Sequence, residues 1–119
     1  MATYIKIIFF VINFSLLFLS SAISEEKIKI GLLVPMTGPN KDIGQSIIKA
    51  VRLAVNDIDN DSIEIVPKDT ATKPDITLKS AYELKEMGVS IVIGPVFYES
   101  LIYLDEIKDL TFLSLTNKN

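Results

Sequence analysis

The chain has 119 residues, with 12 Lys or Arg against 15 Asp or Glu, a formal net charge of −3, and neither Cys nor His. Without Cys there is no disulfide, thiolate nucleophile, Cys-based metal site or lipid-modified N-terminal cysteine, and without His the commonest general base and metal ligand is gone. An acidic chain of this size makes no electrostatic case for nucleic acid or an anionic membrane as partner, and it can bury one modest core at most.

Residues 1–24 read as a signal peptide. Lys6 supplies a minimal positive flank, and residues 7–19 are apolar except for Asn13 and Ser15. That run is shorter than the ~20 apolar residues a membrane-spanning helix needs. Small residues then flank two cut sites, after Ala22 or after Ser24, with an uncleaved N-terminal anchor as the alternative. The expected product is exported to the periplasm, and its domain is residues 25–119.

The remainder alternates. Residues 28–34 are apolar except for Lys29 and Gly31, as in a parallel strand covered on both faces. Ile43, Ile47, Ile48, Val51, Ala54, Val55 and Ile58 then recur at helical spacing, and Asp42 with Gln45 resembles a capping box at the start. Residues 62–66 alternate as a second strand that meets Pro67, which suits an edge. A polar loop, residues 68–73, leads to Pro74 and a second helix through Ile76, Leu78, Ala81, Tyr82, Leu84 and Met87, closed by Gly88. Residues 89–93 predict a third strand, Leu101, Ile102, Leu104 and Ile107 a third helix, and residues 111–115 a fourth strand. The expected fold is α/β, a doubly wound parallel sheet of four strands and three helices.

Catalytic motifs are missing. Gly38 and Gly44 lack the spacing and the Lys of a phosphate loop, and no G-x-G-x-x-G occurs. Asp57, Asp59 and Asp61 imitate the opening of a calcium loop, but Ser62 replaces its turn glycine and Lys68 its closing Glu. The neighbouring carboxylates Asp105 and Glu106 diverge on a solvated segment. No enzyme, metal or cofactor is expected.

What remains lies in the loops after the strands, where open parallel sheets bind ligands. Residues 35–40 follow the first strand, residues 94–100 the third and residues 116–119 the fourth. The candidate ligand-binding residues are Thr37, Gly38, Tyr98, Glu99, Ser100 and Thr116. Thr37 and Ser100 suit turn and cap chemistry equally well. Phe97 suits packing beneath its loop, whereas the Tyr98 hydroxyl suits a wet rim.

As an ordered set these residues resemble a known family. Lys-Ile-Gly-Leu-Leu-Val-Pro-Met-Thr-Gly-Pro at 29–39, Ile-Gly-Gln at 43–45, Ala-Val-Arg-Leu-Ala-Val-Asn-Asp-Ile at 50–58 and Ile-Val-Ile-Gly-Pro at 91–95 look like the N-terminal lobe of the type I periplasmic binding proteins, the leucine-binding-like group. Glu-Ile-Val-Pro-Lys-Asp-Thr at 64–70, Ile-Gly-Pro-Val-Phe-Tyr-Glu-Ser at 93–100 and Leu-Ser-Leu-Thr-Asn at 113–117 look closer still to a branch known as penicillin-binding protein activators. The resemblance implies a non-enzymatic, two-lobed binder that closes about a hinge, with its cleft at these strand ends. It implies a polar, amino-acid-like small-molecule ligand, and either a membrane transporter or a cell-wall synthase as partner.

One departure bears on the choice. Amino-acid-binding members usually place small hydroxyl residues after the third strand to receive the ligand carboxylate, and this chain has Phe97, Tyr98 and Glu99 there. A Glu in that place repels a carboxylate and can itself occupy the helix N-terminus, a contact worth about 0.3–1 kcal/mol. Two functions therefore compete within the fold: solute capture for an importer of the ABC-transporter type, and activation of a cell-wall synthase. A flavodoxin-like or receiver domain would share the alternation, but Val34-Pro35 and Gly94-Pro95 stand where a receiver needs acidic residues. Four strands and three helices supply only one lobe of such a cleft, so the sequence is expected to be a truncated N-terminal piece.

Overall fold

A computed structural model describes residues 1–18 and 25–116. Both cut sites of the expected leader, and Asn117 to Asn119 of the last loop, lie outside the described residues. The first helix, α1, spans Ala2–Phe18. Tyr4, Ile5, Phe9 and Phe10 on it are each more than half exposed, and the Phe10 and Phe14 rings stack with centroids 6.4 Å apart. Among the described residues no helix is long and apolar enough to cross a membrane.

The domain follows as β1 (Ile28–Val34), α2 (Lys41–Ile58), β2 (Ile63–Asp69), α3 (Pro74–Glu86), β3 (Ile91–Ile93), α4 (Tyr98–Leu101), a single 3₁₀ turn (Leu104–Glu106) and β4 (Thr111–Leu113). All strand pairs are parallel, in the order β2-β1-β3-β4. Central β1 is covered on both faces from Gly31 to Val34, which explains why only Lys29 interrupts its apolar run with a charge. Leu33 enters the core under α3 with Val66, Ala81, Leu84, Val92, Leu104 and Ile107, while Leu32 and Val34 face α2 and Ile48. Gly31 permits the close approach of α3, since a Cβ there would stand 2.8 Å from Leu84 Cδ1.

Strand boundaries shift from expectation at three places. β2 continues past Pro67 through Lys68 and Asp69, which sequence patterning assigns to the loop. Pro67 is tolerated because β2 is an edge strand, with β1 as its single neighbour. β3 and β4 are shorter than expected, at three residues each, although Gly94 N–H to Leu113 O and Leu115 N–H to Pro95 O carry the pairing onward.

The helices differ more. α2 starts at Lys41 with Asn40 as its N-cap, and no side chain caps it, so the Asp42–Gln45 capping box does not form. The Asn40 amide is turned instead to Thr72, donating to its Oγ1 at 3.2 Å. Ile43 and Ile58 are 45% and 61% exposed, so the apolar stripe is only partly used; α2 covers β1 and β2 and stops there. The expected third helix is α4 plus the separate 3₁₀ turn. Its apolar spacing is right, and Leu104 and Ile107 are buried. A four-residue helix without a side-chain cap cannot propagate, however, and an i, i+3 spacing serves a 3₁₀ turn as well as an α-helix. The end of α3 matches expectation: Gly88 at φ +82, with Gly88 N–H to Lys85 O and Val89 N–H to Leu84 O, closes a Schellman motif.

Candidate functional site

The parallel order places four connections side by side at the carboxyl edge of the sheet: residues 70–73 after β2, 35–40 after β1, 94–97 after β3 and 114–116 after β4. The β1 loop is therefore central, flanked by those of β2 and β3. Its path is set by a close approach. Gly44, in the first turns of α2, lies against the Pro35 carbonyl so tightly that a Cβ would collide with its oxygen. Gly38, at φ +84, makes the turn.

The loop is tied to its neighbour by one carboxylate. Asp69 closes β2 in register with Val34. Its Oδ1 accepts from the Met36 N–H at 2.7 Å, the Thr37 N–H at 3.3 Å and the Ala71 N–H at 2.8 Å, and its Oδ2 accepts from the Thr37 hydroxyl at 2.6 Å. Burial pushes this carboxyl up, but the Thr37 hydroxyl and the Met36, Ala71 and Thr37 amides outweigh it and hold the group below its ordinary value. Beyond Asp69, Ala71 and Thr72 both take left-handed conformations, φ +47 and +59, which are uncommon away from Gly. Thr70 N–H to Val34 O, Lys73 N–H to Thr70 O and the Asn40–Thr72 bond hold that strained turn in place.

The expected site residues fall into different settings. Thr37, Gly38 and Glu99 are exposed at the strand-end edge, and Tyr98 and Thr116 are half-buried there. Ser100 is 3% exposed, and its Oγ lies 3.3 Å from the Thr77 hydroxyl oxygen, whose own proton is directed to the Lys73 carbonyl at 2.8 Å. The Ser100 oxygen is directed to α3, and no side chain caps α4, so the cap role open to Ser100 in the sequence is not the one it takes. Phe97 is half-buried, as packing beneath the loop requires. Sequence reasoning missed Asp69, Ala71 and Thr72. The available signal was a carboxylate placed where a strand beside the first strand would end. Among the described residues no group of His, Cys, Asp and Glu could hold a metal ion. An open groove lies at the opposite edge of the sheet, between Arg52 and Asn56 of α2 and the residues leading into β2.

The sequence profile of the periplasmic binding protein family matches residues 27–102. The chain belongs to the periplasmic binding protein family. Solved structures agree with that membership. The C-domain of LpoA (YraM) from Haemophilus influenzae, a regulator of PBP1A, superposes with a TM-score of 0.62 at 24% identity, over 76% of this chain and 28% of that one. An ABC transporter substrate-binding protein from Sphaerobacter thermophilus gives 0.68 at 20% identity, over 75% and 26%. A solute-binding protein of an ABC transporter from Rhodopseudomonas palustris, in complex with 3,4-dihydroxybenzoic acid, gives 0.62 at 30% identity, over 67% and 23%. The chain thus spans about a quarter of the length of the family structures it matches. No curated protein matches the sequence. The expected fold, an α/β sheet of the type I periplasmic binding lobe, is what the structure shows, with four helices, α1 to α4, plus the 3₁₀ turn among the described residues.

Proposed function

We propose that residues 25–116 form one wall of a ligand cleft in a non-enzymatic binding protein of the periplasm, whose role is small-solute capture for a membrane transporter. The observation that carries this reading is the exposure of Thr37 and Gly38 on the braced β1 loop, between the loops of β2 and β3 at one edge of the sheet. A loop held this rigidly can meet a ligand without first being ordered, which reduces the entropic cost of binding. The family supports the periplasmic location, as does the leader-like start of the sequence.

Glu99 favours a second reading. It is exposed in the first turn of α4, in the loop that would otherwise receive a ligand carboxylate. The cleft edge then serves as a protein-docking or regulatory surface, as in an activator of a cell-wall synthase. The likeness to the regulator LpoA is compatible with this, at the level of fold.

The experiment is amide chemical-shift mapping on the isotope-labelled chain with a panel of amino acids, aromatic acids and peptidoglycan fragments. Solute capture requires shifts concentrated in residues 35–40, 94–100 and 114–116. Shifts confined to the opposite edge, or none with any solute, would remove the solute reading.

A further inference from the structure

The donors that a strand-end loop would offer to an incoming anion are already occupied. Three backbone N–H groups and one hydroxyl converge on the Asp69 carboxylate, from both its own turn and the β1 loop. Such a ring of donors is the usual way a protein holds a ligand carboxylate or phosphate. Here the anion is supplied by the chain itself. The ion pairs among the described residues are Lys68–Glu83, Lys79–Glu83 and Lys85–Asp109, so Asp69 is matched by N–H and O–H dipoles and by no Lys or Arg. Its negative charge therefore stays at the edge, with Glu99 exposed on the other side of the β1 loop.

The Thr37 hydroxyl shows what this does to recognition. Its single proton is given to Asp69 Oδ2 at 2.6 Å, so the oxygen has only lone pairs left for anything outside. The Thr37 N–H is directed to the same carboxylate. At this loop the protein presents acceptors and negative charge.

We propose that Asp69 is the positioning residue of the cleft edge, an internal anion that fixes the β1 loop and selects ligand groups that donate hydrogen bonds, ammonium or hydroxyl, over carboxylates. This rests on the ligand-binding reading above and deepens it. Ala71 and Thr72 keep their left-handed conformations as part of the same device, since the Ala71 N–H is one of the four donors.

The test uses the full chain, isotope-labelled, as wild type, Asp69→Asn and Asp69→Ala. Amide hydrogen exchange is read first, without ligand. Met36, Thr37 and Ala71 should be protected in the wild type and exchange at least tenfold faster in Asp69→Ala. Unchanged protection in that variant would overturn the positioning role. Benzylamine, benzyl alcohol and benzoate, which share a ring and differ in the polar group, are then titrated while the Met36, Thr37 and Gly38 amides are followed. The wild type should respond to the amine and the alcohol at concentrations at least tenfold lower than to benzoate. In Asp69→Asn the side-chain amide donates to the Thr37 oxygen and turns its proton outward, so the preference should shift at least tenfold towards benzoate while the fold is kept. Benzoate binding at this loop in the wild type as readily as benzylamine would overturn the selection. Protected amides with no response to any probe would overturn it together with the proposed function, leaving the clamp itself standing.

Discussion

The Thr37 hydroxyl donates to Asp69 Oδ2 at 2.6 Å, joining the loop after the central strand to the end of the edge strand 32 positions further on. That bond and the Met36 N–H to Asp69 bond are charge-assisted, and each such contact is worth about 1.5–3 kcal/mol when shielded from water and less where solvent competes. They brace a loop that lies between those of β2 and β3 at the carboxyl edge of the sheet.

Stability should fall as acid protonates Asp69. Its carboxyl is held below the ordinary value in the folded chain, so its contribution is fully present above the unfolded-state value. The contribution is lost as pH falls through the lower, folded one. Glu83 acts with the same sign, held down by the hydrogen bond and charge of Lys68 at 2.8 Å. Urea midpoints taken from neutral pH down to strongly acidic pH should therefore converge for wild type and Asp69→Asn at the acid end. A difference between the two that is constant with pH would contradict this.

Gly44→Ala should destabilise the fold by about 1–3 kcal/mol or more, because the new methyl meets the Pro35 backbone carbonyl, which cannot rotate away as a side chain could. Gly88→Ala meets open space but keeps φ +82, and should cost about 1 kcal/mol through backbone strain alone. Equilibrium unfolding of both variants separates collision from strain.

Leu33→Ala should cost about 2–5 kcal/mol, since Leu33 is fully buried in the core under α3. Ile43→Ala should cost under about 1 kcal/mol, because Ile43 is 45% exposed on the outer side of α2. Equal losses would mean that α2 is covered in solution.

Glu99→Ser should create or improve binding of an amino acid, by removing an exposed carboxylate from the first turn of α4 and supplying a hydroxyl there. Calorimetry with leucine on wild type and variant checks it. Tight leucine binding by the wild type would mean that Glu99 does not repel the ligand.

Export should remove residues 1–22 or 1–24, giving a periplasmic product whose intact mass matches one of those cuts. A mass that retains Met1 would refute the leader.

Most of the fold was legible in the residues alone. A strand buried on both faces needs a nearly continuous apolar run, and residues 28–34 have one, with Lys29 its one charge; a helix that ends in a Schellman motif needs a residue at positive φ, and Gly88 stands there. These are local requirements, met by neighbours in sequence. The break between α4 and the 3₁₀ turn was not legible, because residues 100, 104 and 107 are buried with helical spacing whether or not the backbone between them is one helix. Asp69 was not legible either. Two positions past Pro67 it reads as loop, and it becomes the brace of the β1 loop only when parallel pairing sets it opposite Val34, beside the amides of Met36 and Thr37. The sequence determined which segments are strands and helices and which loops end the strands. Tertiary structure alone decided which donors those loops have left to offer, because hydrogen bonds between residues more than 30 apart exist only after the strands have aligned.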